Sequence, residues 1–412
     1  MQQAHAHHEF LECGIELGVI PFPRRRIVCV EIRLLAGLCE EPPDRLGLAR
    51  IVEDTLTKGT RQRSAKELSD AFDVLGALRG SGVGRETTTF SCAVLPEHLD
   101  EAIALHAEFL RTPTFPDEFV EVAVELSRQE HLALEDEPQE LAEKIISRQV
   151  YGPVLGRHEL GDLQTLGRIT RQDVVDFWQR FGHAGRLQVC LAGPVDPVKV
   201  RHLLESHFAG FGSPHRTGRL PQPVEFKPLA THHAKELEQE HMSLCFPGVY
   251  VTDPQYPVQR VMLGVLSGGM SGRLFTEVRE KQGLVYWVGA WHETPRGTGM
   301  IFLGASTTPE RCEQTYRTLF REVDRLGEDL TDEELQRAKT TITAKVETRG
   351  STTRSRCGEL ADDLFHRGRP VSHEEKLAWI RGVTVADIRE FLAKHPRDRL
   401  SVVTLGPRAL NV

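Results

Sequence analysis

An internal repeat constrains the fold of this 412-residue chain more than any other feature of its sequence. The segment Ile169–Phe177 reads Ile-Thr-Arg-Gln-Asp-Val-Val-Asp-Phe and is followed by the apolar segment Leu187–Pro194. The segment Val383–Phe391, 214 positions later, reads Val-Thr-Val-Ala-Asp-Ile-Arg-Glu-Phe and is followed by Leu400–Pro407. Each copy predicts a threonine-capped helix and then a buried strand. The chain is therefore predicted to contain two copies of one α+β unit of about 200 residues.

The boundary between the copies is predicted from composition. The segment Phe211–Leu229 carries four prolines and is typical of a semi-rigid linker. We therefore assign residues 1–211 to an N-terminal repeat, residues 212–229 to a linker and residues 230–412 to a C-terminal repeat.

Charge and composition exclude several classes of function. The formal net charge is -8 and no basic stripe is visible, which argues against a nucleic-acid partner. No apolar run approaches the roughly 20 residues that span a bilayer. The polar N-terminal sequence, with His5, His7 and His8, predicts a frayed end, no secretory signal and a cytoplasmic location. Eight scattered cysteines without a Cys-x-x-Cys pair predict reduced, mostly buried thiols.

The segment Gly47–Thr60 is predicted to form an amphipathic helix. At a period of about 3.6 residues, one face is apolar and consists of Leu48, Ile51, Val52, Thr55 and Leu56. The opposite face consists of Arg50, Glu53, Asp54 and Thr57. A charged face is usually solvated, so this pattern alone indicates an ordinary surface helix.

Three sequence blocks resemble the pitrilysin/insulinase metallopeptidases, the inverted zincins, which include mitochondrial processing peptidase. Gly47–Thr60 matches their Gly-Leu-Ala-His-x-x-Glu-His…Lys-Gly-Thr frame almost letter for letter. Leu237–Gly248 and Gly268–Tyr286 resemble two blocks of the family's second half. The resemblance covers almost the whole chain. It implies two homologous repeats, each a mixed, mainly antiparallel β-sheet packed with helices, which together form a half clam-shell.

The family's zinc site is altered in this sequence. Its two histidine positions are occupied by Arg50 and Asp54, and its general-base position by Glu53. Its third ligand, a glutamate, corresponds to Glu130 in a predicted helix over Asp117–Leu134. A guanidinium stays protonated and has no free lone pair, so it cannot ligate zinc. We therefore predict that this chain binds no zinc.

Two structural alternatives remain for Arg50. The guanidinium could form a salt cluster with Asp54 and Glu130 in place of the metal, because converging carboxylates need a compensating cation. It could instead point to solvent in a wide cleft.

The resemblance also identifies an arginine and a tyrosine seven residues apart, here Arg279 and Tyr286. In the family such a pair binds the substrate backbone and helps to stabilise the oxyanion of the tetrahedral intermediate. The residues alone would also fit an exposed arginine balanced by Glu277 and Glu280, with the tyrosine packed in a strand.

These features predict a subunit that is inactive by itself. It would pair with a homologous zinc-bearing subunit and supply Arg279 and Tyr286 for the cleavage of unfolded peptides, with zinc held only by the partner. The peptide is expected to add a strand to a sheet edge near Arg85–Leu95, beside a loop at Gly80–Gly84, or at the counterpart of that strand in the other repeat. One alternative is a structural or peptide-binding scaffold subunit. Another is a hydrolase that uses Glu53 with a hard cation on Asp54 and Glu130.

Overall fold

The computed structural model describes residues 6–216, 221, 224–395 and 398–410. The strands are β1 (His7–Phe10), β2 (Glu16–Pro21), β3 (Val28–Leu34), β4 (Leu78–Val83), β5 (Thr88–Val94), β6 (Leu187–Gly193), β7 (Ala230–Ala234), β8 (Glu240–Gly248), β9 (Val285–Glu293), β10 (Gly299–Thr307) and β11 (Ser401–Gly406). The helices of the first half are α1 (Leu48–Leu56), α2 (Ala65–Val74), α3 (Leu99–Arg111), α4 (Asp117–Ala133), α5 (Pro138–Leu155), α6 (Leu163–Leu166), α7 (Arg171–Phe181) and α8 (Pro197–Phe208). Those of the second half are α9 (Tyr256–Ser267), α10 (Cys312–Glu328), α11 (Asp332–Gly350), α12 (Thr353–Arg367), α13 (His373–Gly382) and α14 (Val385–Lys394), and Leu274–Glu280 is a π-helix.

Each repeat contains one mixed, mainly antiparallel sheet. The first has the strand order β1-β2-β6-β3-β5-β4, and only β2 and β6 run parallel. The second has the order β7-β11-β8-β10-β9, and only β7 and β11 run parallel. Helices pack on both sheets, so the predicted fold class is confirmed.

The sequence repeat corresponds to equivalent structural elements. α7 and α14 each begin with a capping box, formed by Thr170 with Asp173 and by Thr384 with Asp387. The strands that follow them, β6 and β11, are buried along their whole length. Each strand lies inside its sheet and pairs with one parallel and one antiparallel neighbour.

The chain folds into two compact units that are not contiguous in sequence. The first contains Met1–Ala133, Arg157–Leu220 and Arg349–Ser372, and the second contains the remainder. The first unit therefore takes α12 from the C-terminal repeat, and this helix packs on β2, β3 and β6. The second unit takes α5 from the N-terminal repeat, and this helix packs on β8 and β11. The repeat boundaries at residues 211 and 230 stay a prediction, and part of the predicted linker lies outside the described residues.

Three local predictions are wrong. Most of the predicted loop at Gly80–Gly84 belongs to β4, the edge strand of the first sheet. The strand predicted over Arg85–Leu95 does form, as β5, but the expectation that a peptide adds beside it is wrong, because β5 lies between β3 and β4 and has no open edge. The N-terminal sequence is not frayed at His7–Phe10, because β1 pairs with β2 there, whereas His5 lies outside the described residues.

No helix in the described part of the chain is long and apolar enough to cross a membrane.

Candidate functional site

Helix α1 carries the altered metal-site motif and is fixed by its apolar face. The predicted apolar residues are all at most 3% exposed, namely Leu48, Ile51, Val52, Thr55 and Leu56. The N-terminus of α1 follows Gly47, whose φ of +98° is a left-handed conformation that favours glycine. A Cβ at Gly47 would lie 2.6 Å from Leu166 Cδ2, so a larger residue would also clash.

The structure brings Arg50, Asp54 and Glu130 together within the first unit. Arg50 Nε donates to Asp54 Oδ2 at 3.0 Å, one helical turn along α1. Arg50 Nη2 lies 3.4 Å from Glu130 Oε2 on α4. Arg50 Nη1 lies 3.5 Å from Glu159 Oε1, in the segment before α6. Arg50 therefore does not point freely to solvent, and each of its three guanidinium nitrogens faces a different carboxylate.

Electrostatics favour the charged form of this guanidinium. Partial burial opposes the charge, but the carboxylates of Asp54, Glu130 and Glu159 outweigh burial and raise the pKa of Arg50. The arginine side chain is 22% exposed, and those of its three partners are 35% to 51% exposed.

Glu53 lies in a different environment from Asp54. The sequence placed both residues on a solvated face, but Glu53 is only 7% exposed. Burial raises the pKa of the Glu53 carboxyl, although a hydrogen bond with the Ser81 side chain on β4 partly offsets that effect. Glu53 is thus buried, whereas the Asp54 side chain is 35% exposed.

These residues do not fit a zinc ion. Zinc in proteins prefers imidazole, thiolate and carboxylate ligands in a tetrahedral arrangement. Here a permanent cation lies between the carboxylates that would otherwise converge on a metal, and it would repel a dication at close range. Within residues 6–216, 221, 224–395 and 398–410, no group of three or more His, Cys, Asp or Glu side chains is arranged to hold a metal ion.

Arg279 and Tyr286 lie next to each other in the second unit. The Arg279 guanidinium carbon is 5.6 Å from the centroid of the Tyr286 ring and 5.0 Å from that of Phe275, both within cation–π range. Tyr286 is 75% exposed, so it is not packed in the sheet as the simpler interpretation required. Glu277 bonds to Lys281 at 2.7 Å.

Local backbone geometry explains why Tyr286 is exposed. Gly283 has a φ of +59° and ends the π-helix, with its N–H donating to the carbonyl of Arg279 at 3.0 Å. In β9, Val285 pairs with Thr307 and Trp287 with Ser306, so Tyr286 is the extra residue of a β-bulge. Bulges re-aim side chains and are frequent beside active sites.

Two residues of the site were missed by sequence reasoning. Glu159 lies in an irregular segment, and no periodicity links it to α1 or α4. Ser81 was assigned to a loop, because glycines on either side of it obscured the alternation typical of a strand. The Leu-Arg-Gly-Ser-Gly-Val sequence of β4 does place Arg79, Ser81 and Val83 on one face, which is the only sequence signal that could have found Ser81.

Comparisons with known proteins agree on one family. The insulinase (peptidase family M16) model matches residues 23–162, and the peptidase M16 inactive domain model matches residues 168–342. An uncharacterized zinc protease of Rickettsia felis is 27% identical over 402 residues, which cover 97% of both chains. An uncharacterized zinc protease of Bacillus subtilis is 26% identical over 328 residues, which cover 79% of this chain and 80% of the relative.

Solved structures share the fold. A peptidase M16 inactive domain from Pseudomonas fluorescens superimposes with a TM-score of 0.89 at 22% identity, covering 99% of each chain. A protease from Helicobacter pylori superimposes with a TM-score of 0.88 at 16% identity, covering 98% of this chain and 99% of that one. The two family matches follow one another along most of the sequence, and the chain belongs to the M16 (insulinase) peptidase family.

Proposed function

We propose that this chain is an M16 peptidase subunit that lacks a zinc site and pairs with a homologous zinc-bearing subunit to bind and help cleave unfolded peptides. One observation supports the proposal: Arg50, which the motif frame aligns with a zinc-binding histidine of the family, faces three carboxylates. Hydrolysis that depends on a metal-bound water must then be supplied by another polypeptide.

The contribution of this chain would come from Arg279 and Tyr286. Their side chains are exposed, adjacent and rich in hydrogen-bond donors. Donors aimed at a developing oxyanion typically contribute about 3 to 4 kcal/mol to transition-state stabilisation. The proposed role is to hold the peptide backbone and stabilise the tetrahedral intermediate while the partner's metal activates water.

The peptide would bind at the edge of β4 rather than near β5. β4 pairs with β5 on one side only and is the last strand of its sheet. Addition of a peptide strand would satisfy its open backbone groups and would select little for sequence. The first sheet therefore offers an edge for an extended substrate.

The test is reconstitution with a purified zinc-bearing homologue from the same organism. We expect little peptidase activity from either subunit alone and chelator-sensitive activity from the pair. Arg279→Ala and Tyr286→Phe should each lower kcat of the pair by about 10²-fold to 10³-fold. Tyr286→Phe retains the ring and removes only the hydroxyl, so its loss of activity would implicate the donor itself.

Arg317→Ala is the matched control, since Arg317 is an exposed arginine of the same unit whose side chain bonds only one turn away, to Glu313. A pair that keeps full activity with both Arg279→Ala and Tyr286→Phe would favour a scaffold subunit instead. Chelator-sensitive activity in this chain alone would overturn the proposal.

A further inference from the structure

Arg279 lies on an uncommon element, the π-helix Leu274–Glu280. Its wide turn is closed by the Lys281 N–H, which donates to the Thr276 carbonyl at 3.0 Å. A π-helix bonds residues five apart instead of four, so the same sequence in an α-helix would point Arg279 in a different direction. Such turns are rare in proteins and occur frequently at functional sites. The direction of the Arg279 guanidinium therefore depends on whether the π-turn is maintained.

Apolar packing of the π-helix does not by itself select the wide turn. Leu274 and Val278 are both 0% exposed and belong to the core of the second unit. They are four residues apart, a spacing that also places two side chains on one face of an α-helix. Contacts at the two ends of the element are therefore needed to select the π-turn.

The C-terminal end is held through the backbone carbonyls of the residues that follow the π-helix. Arg311 donates to the Gly283 carbonyl at 2.5 Å, and the Thr307 hydroxyl donates to the Leu284 carbonyl at 2.6 Å. These bonds fix the chain after the π-helix, whereas its first turn needs an anchor of its own.

Arg273, the residue directly before the π-helix, provides this anchor with all three of its guanidinium nitrogens. Nε and Nη2 donate to the two carboxylate oxygens of Glu334 at 2.7 Å each, and Nη1 donates to Asp329 Oδ1 at 2.7 Å. The Arg273 side chain is only 7% exposed. A bidentate pair of this kind fixes the orientation of a guanidinium as well as its position.

The two carboxylates are themselves held in place. Glu334 Oε2 accepts from the backbone N–H of Thr331 at 3.1 Å and from its hydroxyl at 3.0 Å, at the start of α11. Asp329 Oδ2 accepts from Arg325 Nε at 2.8 Å, at the end of α10. Arg273 therefore joins the first turn of the π-helix to the ends of two other helices.

We propose that Arg273 is a positioning residue, whose bonds to Asp329 and Glu334 maintain the π-turn and so direct the Arg279 guanidinium toward the bound peptide. This inference rests on the proposed function, in which Arg279 binds the peptide and stabilises the tetrahedral intermediate. Arg273 touches no reacting atom in this role.

The effect of Arg273 should be larger on catalysis than on folding. Asp329 and Glu334 are 43% and 24% exposed, so water can solvate both carboxylates when the arginine is replaced. A shift of about 1 Å in a group that acts on the transition state can by contrast cost about 10²-fold in rate.

The experiment compares Arg273→Met, Arg273→Lys and the Arg273→Met/Arg279→Ala double variant. Cleavage of a quenched fluorescent peptide by the reconstituted pair of subunits reports kcat/KM. Hydrogen exchange over residues 274–284 in this chain by itself reports the order of the π-helix.

Arg33→Met is the matched control. Arg33 is also an arginine with little exposure, 12% of its side chain, and it joins two carboxylates, those of Glu31 and Asp362. It belongs to the first unit, so its replacement removes a comparable ion pair without changing the π-helix.

We expect Arg273→Met to lower kcat/KM by about 10-fold to 10²-fold. Exchange over residues 274–284 should become about tenfold faster, the change that corresponds to one lost hydrogen bond. Arg273→Lys keeps the charge but cannot make three bonds in fixed directions, so it should lose about threefold to tenfold in kcat/KM. Arg33→Met should change neither quantity.

The double variant separates positioning from general stabilisation. If Arg273 acts only through Arg279, the double variant should be no less active than Arg279→Ala alone. An arginine that merely stabilised the second unit would lower the activity of the double variant further.

A wild-type kcat/KM in the Arg273→Met variant would overturn the inference, as would unchanged exchange over residues 274–284 or a double variant that shows both single losses multiplied. If Arg273→Met does not fold, Arg273→Lys decides by the same two measurements. If the wild-type pair cleaves no peptide, the proposed function fails, while hydrogen exchange still determines whether Arg273 holds the π-helix.

Discussion

At the scale of single residues, the guanidinium of Arg50 organises the charged groups around α1. A lysine at the position of Arg50 would present one compact charge, whereas the planar guanidinium presents separate donors in fixed directions. Asp54, Glu130 and Glu159 approach it from three elements of the first unit. The cation therefore links α1 electrostatically to α4 and to the segment that contains Glu159.

Arg50→Met should destabilise the first unit by about 1 to 2 kcal/mol, because three carboxylates then face one another without a cation. The expected destabilisation is modest because the three carboxylate side chains are one-third to one-half exposed, so solvent screens their charges. Urea unfolding at low and high salt measures the effect, and the deficit should shrink at high salt as the repulsion is screened.

Arg128→Met is the control for this substitution, since Arg128 is an exposed arginine of α4 that pairs only with Glu125 on its own helix. An Arg50→Met loss no larger than that of the control would mean that the salt cluster contributes nothing to stability.

At the scale of elements, the N-terminus of α1 is held by a buried carboxyl. Glu41 Oε1 accepts from the backbone N–H groups of Gly47 at 3.1 Å and of Ala49 at 2.9 Å. Glu41 is 3% exposed, and burial raises its pKa to about 8, although those two bonds and the Arg157 guanidinium act in the opposite direction. The helix that carries Arg50 and Glu53 thus begins at a titratable cap.

This cap predicts a pH dependence of stability. The pKa of Glu41 is higher in the folded state than in the unfolded state, so the protonated carboxyl favours folding. This contribution to the free energy of unfolding is fully present below about pH 4.5 and is lost as pH rises toward about 8. The Glu41→Gln side chain cannot ionise. As pH rises from 5 to 9, the free energy of unfolding of this variant should therefore fall less than that of the wild type. The difference in slope cannot exceed about 1.4 kcal/mol per pH unit. Parallel curves from denaturant titrations would refute the prediction.

At the scale of the whole molecule, each compact unit contains one helix from the other sequence repeat, α12 in the first unit and α5 in the second. Cys357, Leu360 and Leu364 of α12 are at most 2% exposed against the first sheet. The contact is close, because a Cβ at Gly18 of β2 would lie 2.8 Å from Leu364 Cδ1. The first unit therefore depends on a helix that the chain supplies only after most of the second sheet.

This exchange predicts that the sequence repeats do not fold separately. A fragment of residues 1–211 lacks α12 and would expose the apolar face around Ile20, Cys29 and Cys190. It should bind the dye ANS and unfold with low cooperativity, whereas mixing with residues 212–412 should suppress the dye signal. A fragment 1–211 that unfolds cooperatively by itself, with no ANS binding, would contradict the prediction.

Sequence patterns that operate over a few residues were sufficient to predict much of this protein. The capping boxes at Thr170 and Thr384 and the apolar face of α1 depend on neighbours within four positions. The motif frame also led to the candidate site residues, although their roles stay predictions.

The sequence by itself determined that two repeated α+β units would form. Its motif frame also led to Arg50, whose place as the substitute for a metal ligand stays a prediction. Only the tertiary structure decided that Glu159 would join Arg50, that Glu53 would be buried, and that α5 and α12 would be exchanged between the units. The physical reason is distance along the chain. Local spacing fixes which face of an element is apolar, whereas contacts between distant segments depend on strand order and on which helix covers which sheet.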